Sequence, residues 1–450
     1  MGVEAILVIA MFASFMVLLL LGFPVAWSLA GIGLVFAIVG HVMVEYFDSP
    51  LWFTWQGTMG VLDARIYGIV ANELMVALPM FIFMGIMLEK SGLAERLLTN
   101  LSKVLGVLPG GMALSVVFIG VLLSASTGII GASVVLLGLL AMPPMLAQKY
   151  QPELASGTIA AVGTLGILVP PSIMLVMMAD RLALSVGELF LGALFPGLLL
   201  AALYAIYIIA LALMKPERAP TDKDAPEMTA GLWVDVLKAM LPPLLLIFAV
   251  LGSIFMGWAT PTEAAGVGAA GALLLTAVYG QLNVGVIKSA CLETTRTTSY
   301  IFAIFLGATA FSLVLRGLGG DALIAKGLLG LPFGPDGILI TILLVVFLLG
   351  FVLDWIEITL IVLPLVAPVV LDLGFDLVWF TILFAVCLQT AFLTPPVGFA
   401  IFYLKGVVDD TVTVQTIYRG VVPFILLQLV GLILIYHFTS LVLYLPSQLS

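Results

Sequence analysis

Long apolar stretches separated by short polar breaks run the length of the chain. We read membrane-crossing helices at 3–21, 24–40 and 74–89, followed by a short amphipathic helix at 93–105. An apolar region at 111–146, a long one at 154–179 and a helix at 186–213 complete the first half. The second half has helices at 237–255, 264–279 and 299–315, then a glycine-rich break at 317–334. Apolar regions at 338–371, 378–405 and 420–443 follow. Between the halves lies the one long hydrophilic run, KPERAPTDKDAPEMTAGLWVD at 215–235, which reads as a linker. A crossing helix needs roughly 20 apolar residues, so the regions 111–146 and 338–371 are too long for one span and too short for two.

Each of those two regions is broken in its middle by small or polar residues. The first break is Ser124-Ala125-Ser126-Thr127-Gly128, and the second is Asp354-Trp355-Ile356-Glu357. An apolar–polar–apolar segment of that length suits a re-entrant hairpin, whose irregular backbone survives at membrane depth only beside protein or a wet cavity. Each is followed by an apolar helix that carries two consecutive prolines, in GTLGILVPPSIM from Gly163 and LTPPVGFAIFYL from Leu393. Pro170-Pro171 and Pro395-Pro396 lie 225 positions apart, as do Pro143 and Pro368. With the N-terminus outside and neither hairpin crossing, 12 of the 16 Lys and Arg fall on the cytoplasmic side, leaving Arg65, Arg181, Arg316 and Lys326 outside. That is the bias the positive-inside rule demands. The first hairpin then enters from the cytoplasm and the second from outside, so the halves are inverted repeats. The expected fold class is an all-α polytopic membrane protein of inverted structural repeats, each with a re-entrant hairpin and a discontinuous helix.

Composition sharpens this picture. Hydrophobic residues make up 63% of the 450 and charged residues 9%, against about 25% charge in soluble domains. Mean hydropathy is +1.29. A net charge of −9 disfavours nucleic acid as a partner. Cys291 and Cys387 stand far apart without metal-ligand spacing. No Walker A pattern is present, which argues against ATP hydrolysis in this chain, and no His/Cys/carboxylate cluster has catalytic spacing. The first apolar run has no basic segment before it and no cleavage signal after it, so it reads as a retained helix.

A proline removes a backbone donor and pushes its predecessor out of the helical region. The chain is therefore expected to unwind at both Pro-Pro pairs, freeing carbonyls near Gly166 and Leu393. A bare carbonyl in lipid costs several kcal/mol, and a dehydrated sodium ion, which prefers oxygen ligands, is a suitable partner. The first candidate sodium group is Ser126, Thr127, Gly163, Thr164, Gly166 and Pro170. The second is Asp354, Thr390, Leu393, Thr394 and Gly398. The half-helices restarting near Ser172 and Val397 would turn their positive N-terminal ends toward an anion. Ser172, Gln389 and Arg181 are the candidate substrate residues, Arg181 otherwise reading as a surface charge.

Five stretches give the chain a family resemblance: LPMFIFMGIMLEKSGLAERL from Leu78, AAVGTLGILVPPSI from Ala160, LGALFPGLLLA from Leu191, ATPTEAAGVGA from Ala259 and WFTILFAVCLQTAFLTPPVGFAIFYLKGV from Trp379. Together they resemble the large membrane subunit of tripartite ATP-independent periplasmic (TRAP) transporters. The resemblance implies sodium-driven uptake of an organic acid across the bacterial inner membrane, with Na+ as coupling ion and no other cofactor. It implies two partners: a periplasmic substrate-binding protein, and a small four-helix (Q-type) membrane subunit. It also implies an elevator domain built from the hairpins and broken helices, moving against a scaffold, as in the ion-transporter superfamily. The corresponding organisation is N-terminal scaffold helices at 1–40 and a first repeat at 41–213, with its hairpin at about 111–146 and broken helix at about 154–180. A cytoplasmic linker at 214–235 precedes a second repeat at 236–450, with its hairpin at about 338–371 and broken helix at about 378–406. The first hairpin tip departs from the family pattern: it reads SASTGIIGAS where many members carry a Ser-Gly-Ser-rich tip. The second carries DWIEI, two acids where many have one.

Acids inside membrane segments are expensive and mark function. Asp354 and Glu357 share a face at i, i+3 spacing and read as a sodium ligand or a gate, or as solvated groups at the hairpin mouth. Thr260-Pro261-Thr262-Glu263 instead matches a capping box, a structural role. His41 and His437 lie near predicted span ends without a partner pattern. A secondary transporter subunit is the leading reading, a passive anion or ion channel the second, and a membrane-embedded enzyme the third.

Overall fold

The computed structural model describes residues 2–47, 53–127, 130–222 and 230–448, without the side chains of 124–127 and 230. Among these residues every regular element is helical, and nine helices are long and apolar enough to cross a membrane. A tenth candidate is the pair Trp55–Val70 and Leu74–Lys90, bent by 46°. The all-α, many-span class expected from the apolar pattern is therefore the observed one. Each half also carries an interrupted apolar region followed by a helix that stops at its Pro-Pro pair.

Several boundaries differ from the hydropathy reading, as three cases show. The helix expected at 299–315 runs from Val284 to Gly317, through the polar CLETTRTTS stretch, because hydropathy marks where an apolar run ends and not where helical hydrogen bonding does. The glycine-rich break at 317–334 contains a helix, Gly320–Leu329, opened by Gly319 in the left-handed region (φ 84°), with Arg316 and Asp321 paired at 3.3 Å. The hydrophilic run at 215–235 ends inside the helix Ala230–Phe255. Local signals elsewhere hold. The capping box at Thr260 and Glu263 is present, with the Thr260 amide donating to the Glu263 carboxylate over 2.8 Å. Leu93–Leu105 is amphipathic, burying Leu93, Leu97, Leu98, Leu101 and Val104 at helical spacing.

The chain forms two compact units. One comprises Met1–Val76, Thr295–Val345 and Leu353–Leu377. In it Phe311 packs edge-on against Phe12 (5.5 Å) and at a tilt against Phe15 (5.6 Å). A Cβ on Gly307 would lie 2.4 Å from the Ala26 carbonyl oxygen, so two long helices cross there at backbone contact.

The other unit comprises Ala77–Thr294, Val346–Val352 and Val378–Ser450. It holds the first hairpin, Gly111–Thr127 and Ile130–Ala147, together with both helices that stop at Pro-Pro pairs. Glycines set its closest approaches. A Cβ on Gly163 would lie 2.3 Å from Val134 of the hairpin, and one on Gly138 would lie 2.9 Å from Leu404 of the second half-helix. The base of the hairpin is laced to the start of the linker: the Gly110 amide donates to Ala219 (3.0 Å), Gln151 to Arg218 (2.9 Å) and Asp222 to Gly106 (2.9 Å). The Gln148 side chain adds a bond to Asp222 at 3.1 Å. At the same base the Tyr150 hydroxyl accepts the Met112 amide (3.2 Å), and burial pushes its phenol up to about 12.

Candidate functional site

In the first break, helix Pro152–Thr164 tightens into one 3-10 turn at Leu165–Ile167, and a new helix runs from Ile173 to Leu182. In the second, helix Leu377–Leu393 stops and a short helix restarts at Phe399 and ends at Lys405. The restart is two residues later than expected, because Gly398 takes a positive φ of 31°. The Pro170–Pro171 and Pro395–Pro396 peptide bonds are both cis.

The hydroxyl side chains expected to hold sodium divide into three sets. Thr390 and Thr394 each donate their hydroxyl to the carbonyl one turn back, Val386 (2.8 Å) and Thr390 (2.7 Å), which leaves their oxygen lone pairs available. Thr164 donates to Ala161 (2.7 Å) and also accepts from the amide nitrogens of Gln389 (3.3 Å) and Gln428 (3.4 Å). A hydroxyl has one proton and two lone pairs, so Thr164 is saturated in this conformation. Ser126 and Thr127 end the helix Gly111–Thr127, and their side chains lie outside the described residues. Gly163, Gly166 and Pro170 are buried along the first break, and Leu393 is buried at the edge of the second.

Of the candidate substrate residues, Ser172 is buried and donates to the Ile167 carbonyl over 2.5 Å, closing the gap that the prolines leave. Gln389 is buried against Thr164, so the structure joins a candidate substrate residue to a candidate sodium residue. Arg181 is half-buried in the last turn of its half-helix and ion-pairs with Asp180, its Nε lying 2.8 Å from the carboxylate.

Asp354 and Glu357 belong to the first unit described. Asp354 is the N-cap of the helix Trp355–Asp372, accepting the Trp355 amide at 2.8 Å. Glu357 is wholly buried and neither carboxylate oxygen has a hydrogen-bond partner. The next residues, Ile358–Val362, form a π turn, a distortion common at functional sites.

Sequence reasoning missed Tyr204, Gln428 and Tyr418. Tyr418 donates to the Pro396 carbonyl (2.7 Å), and Gln428 donates to the Tyr204 hydroxyl (2.9 Å). Gln428 was findable as the one amide in the apolar run FILLQLVGLILI, but Tyr204 looks like any aromatic in a membrane helix.

The model of the tripartite ATP-independent periplasmic transporter family, DctM component, matches residues 12–441. The chain belongs to this family. It is thus one subunit of a transporter family, a multi-span membrane protein whose long apolar helices are the candidate spans. Among related TRAP permeases, a Pseudomonas aeruginosa C4-dicarboxylate TRAP transporter large permease protein is 28% identical over 390 residues, 86% of this chain and 90% of the relative. A Vibrio cholerae sialic acid TRAP transporter large permease protein is 28% identical over 431 residues, 96% of each chain. An isethionate TRAP transporter permease protein DctMQ of Oleidesulfovibrio alaskensis is 28% identical over 94% of this chain, which spans 64% of that longer relative. Among solved structures, the Alcanivorax borkumensis YdaH transporter shares the fold at a TM-score of 0.64 and 15% identity, over 95% of this chain and 98% of that one.

Proposed function

We propose that this TRAP permease takes up an organic acid, a carboxylate, by sodium-coupled secondary transport across the bacterial inner membrane, with its N-terminus in the periplasm. A periplasmic binding protein delivers the solute, and a separate small four-helix subunit completes the complex. The names of relatives support the solute class, since C4-dicarboxylates, sialic acid and isethionate are all organic anions.

The observation that carries the reading is the pair of helix breaks, equally placed in the two halves and each leading into a shorter half-helix. We assign one cation to the first break, with Gly163, Gly166 and Pro170 supplying backbone oxygens and Ser126, Thr127 and Thr164 hydroxyls. A second lies at Thr390, Leu393, Thr394 and Gly398, where two hydroxyl oxygens keep free lone pairs. Asp354 offers a further acid to a cation. Ser172, Gln389 and Arg181 serve the anion, with Asp180 holding the Arg181 guanidinium. Cations bound at the breaks bring positive charge to where the carboxylate must sit, so solute and sodium favour each other's binding. The hairpins and broken helices then carry the solute as an elevator domain against the scaffold helices.

Proteoliposomes holding the complete transporter test this. Uptake of a labelled carboxylate that requires both an inward sodium gradient and the binding protein is expected. Uptake that persists without either would make the protein a passive channel.

A further inference from the structure

Thr164 and Gln389 are 225 residues apart, the offset that superposes one Pro-Pro pair on the other. They are therefore equivalent positions of the two repeats, one on each broken helix. In a two-fold arrangement a residue touches its own equivalent only near the axis, so this bond marks the point where the repeats meet. Gln428 and Tyr204 complete a cluster drawn from four helices: Pro152–Thr164, Val186–Met214, Leu377–Leu393 and Val414–His437. All four side chains are wholly buried. The cluster is not a well-satisfied core network, because the side-chain oxygens of Gln389 and Gln428 find no donor. Stability alone gives little reason to bury two such groups.

We propose that this cluster is the relay through which occupancy of the first cation site is felt at the second broken helix. The inference rests on the sodium-coupled reading above. Both lone pairs of Thr164 are held by glutamine amides. A sodium ion that takes Thr164 as a ligand must displace one of them. Releasing Gln389 frees an amide on the turn immediately before Thr390, a residue assigned to the second site. The amide has two arrangements, bonded to Thr164 or released, and sodium selects between them. Coupling of this kind is reciprocal, so a cation at the second break favours one at the first. Gln428 and Tyr204 are positioning residues: Tyr204 anchors Gln428, and Gln428 occupies the lone pair that would otherwise let sodium in without disturbing Gln389.

The test is a sodium titration of labelled-carboxylate uptake in proteoliposomes of the complete transporter. Wild type is expected to show a Hill coefficient above one. Gln428→Met, which frees one lone pair of Thr164, is expected to bring the coefficient to about one and to lower half-maximal sodium about threefold. Tyr204→Phe, which loosens Gln428 while keeping the ring, is expected to move both in the same direction by less. A purely structural role predicts the reverse, weaker sodium response with an unchanged Hill coefficient, and that result overturns the proposal. So does a wild-type curve with no cooperativity. A wild type indifferent to sodium would instead overturn the coupling reading beneath it.

Discussion

Gly157 and Gly420 meet backbone to backbone: a Cβ on Gly157 would lie 2.1 Å from the Gly420 carbonyl oxygen, and one on Gly420 would lie 2.1 Å from that of Glu153. Small residues are what allow two membrane helices to approach this closely. The contact holds the first half of the broken helix against Val414–His437, the helix that supplies Gln428 to Thr164.

Gly157→Ala and Gly420→Ala are therefore each expected to cost about 1–3 kcal/mol or more through overpacking. Gly266, inside helix Pro261–Val278, has nothing within 4 Å of an added Cβ. Gly266→Ala is expected to be neutral or to stabilise by about 0.5–1 kcal/mol. Thermal unfolding in detergent compares the three, and equal midpoints would refute the close-approach account.

Thr394→Ala removes an oxygen assigned to the second cation site along with its bond to the Thr390 carbonyl. Half-maximal sodium for uptake is expected to rise about tenfold, a loss of about 1.4 kcal/mol. Thr394→Ser, which retains the hydroxyl, is expected to stay near wild type. An unchanged sodium dependence in the alanine variant removes Thr394 from the ligand set.

The role of Asp354 as a cap can be separated from its charge. Asn caps helices as well as Asp does, so Asp354→Asn is expected to preserve the unfolding temperature while raising half-maximal sodium. Asp354→Ala is expected to lose about 1 kcal/mol of stability as well. A sodium curve shared by wild type and Asp354→Asn would make the residue a cap alone.

Glu357 has no hydrogen-bond partner for either carboxylate oxygen in a wholly buried position. A neutral amide of the same shape has no charge that could need compensation there. Glu357→Gln is expected to leave stability unchanged or raised, and to change sodium dependence less than Asp354→Asn does. A large drop in unfolding temperature would show that the carboxylate is held by interactions the structure does not contain.

The capping box at Thr260 supplies a contrast away from the breaks. Thr260→Ala is expected to cost about 0.5–2 kcal/mol while leaving half-maximal sodium as in wild type. A shifted sodium response would place this helix start within the transport machinery.

The sequence by itself determined the class of protein, because nothing but lipid accommodates so many long apolar runs with so little charge. It also determined the capping box, whose interactions span four residues, and the equal spacing of the two Pro-Pro breaks. It did not decide which proline pairs break a helix. Pro143-Pro144 and Pro242-Pro243 lie inside continuous helices, whereas the chain is interrupted at Pro170-Pro171 and Pro395-Pro396. A break requires partners for the groups it exposes. At the two real breaks the Ile167 carbonyl receives the Ser172 hydroxyl, and the Pro396 carbonyl receives that of Tyr418, which lies 22 residues on. The union of Thr164 with Gln389, Gln428 and Tyr204 likewise depended on tertiary structure. Hydropathy gives each residue its membrane depth, but only the packing of four helices settles which polar groups at that depth face one another.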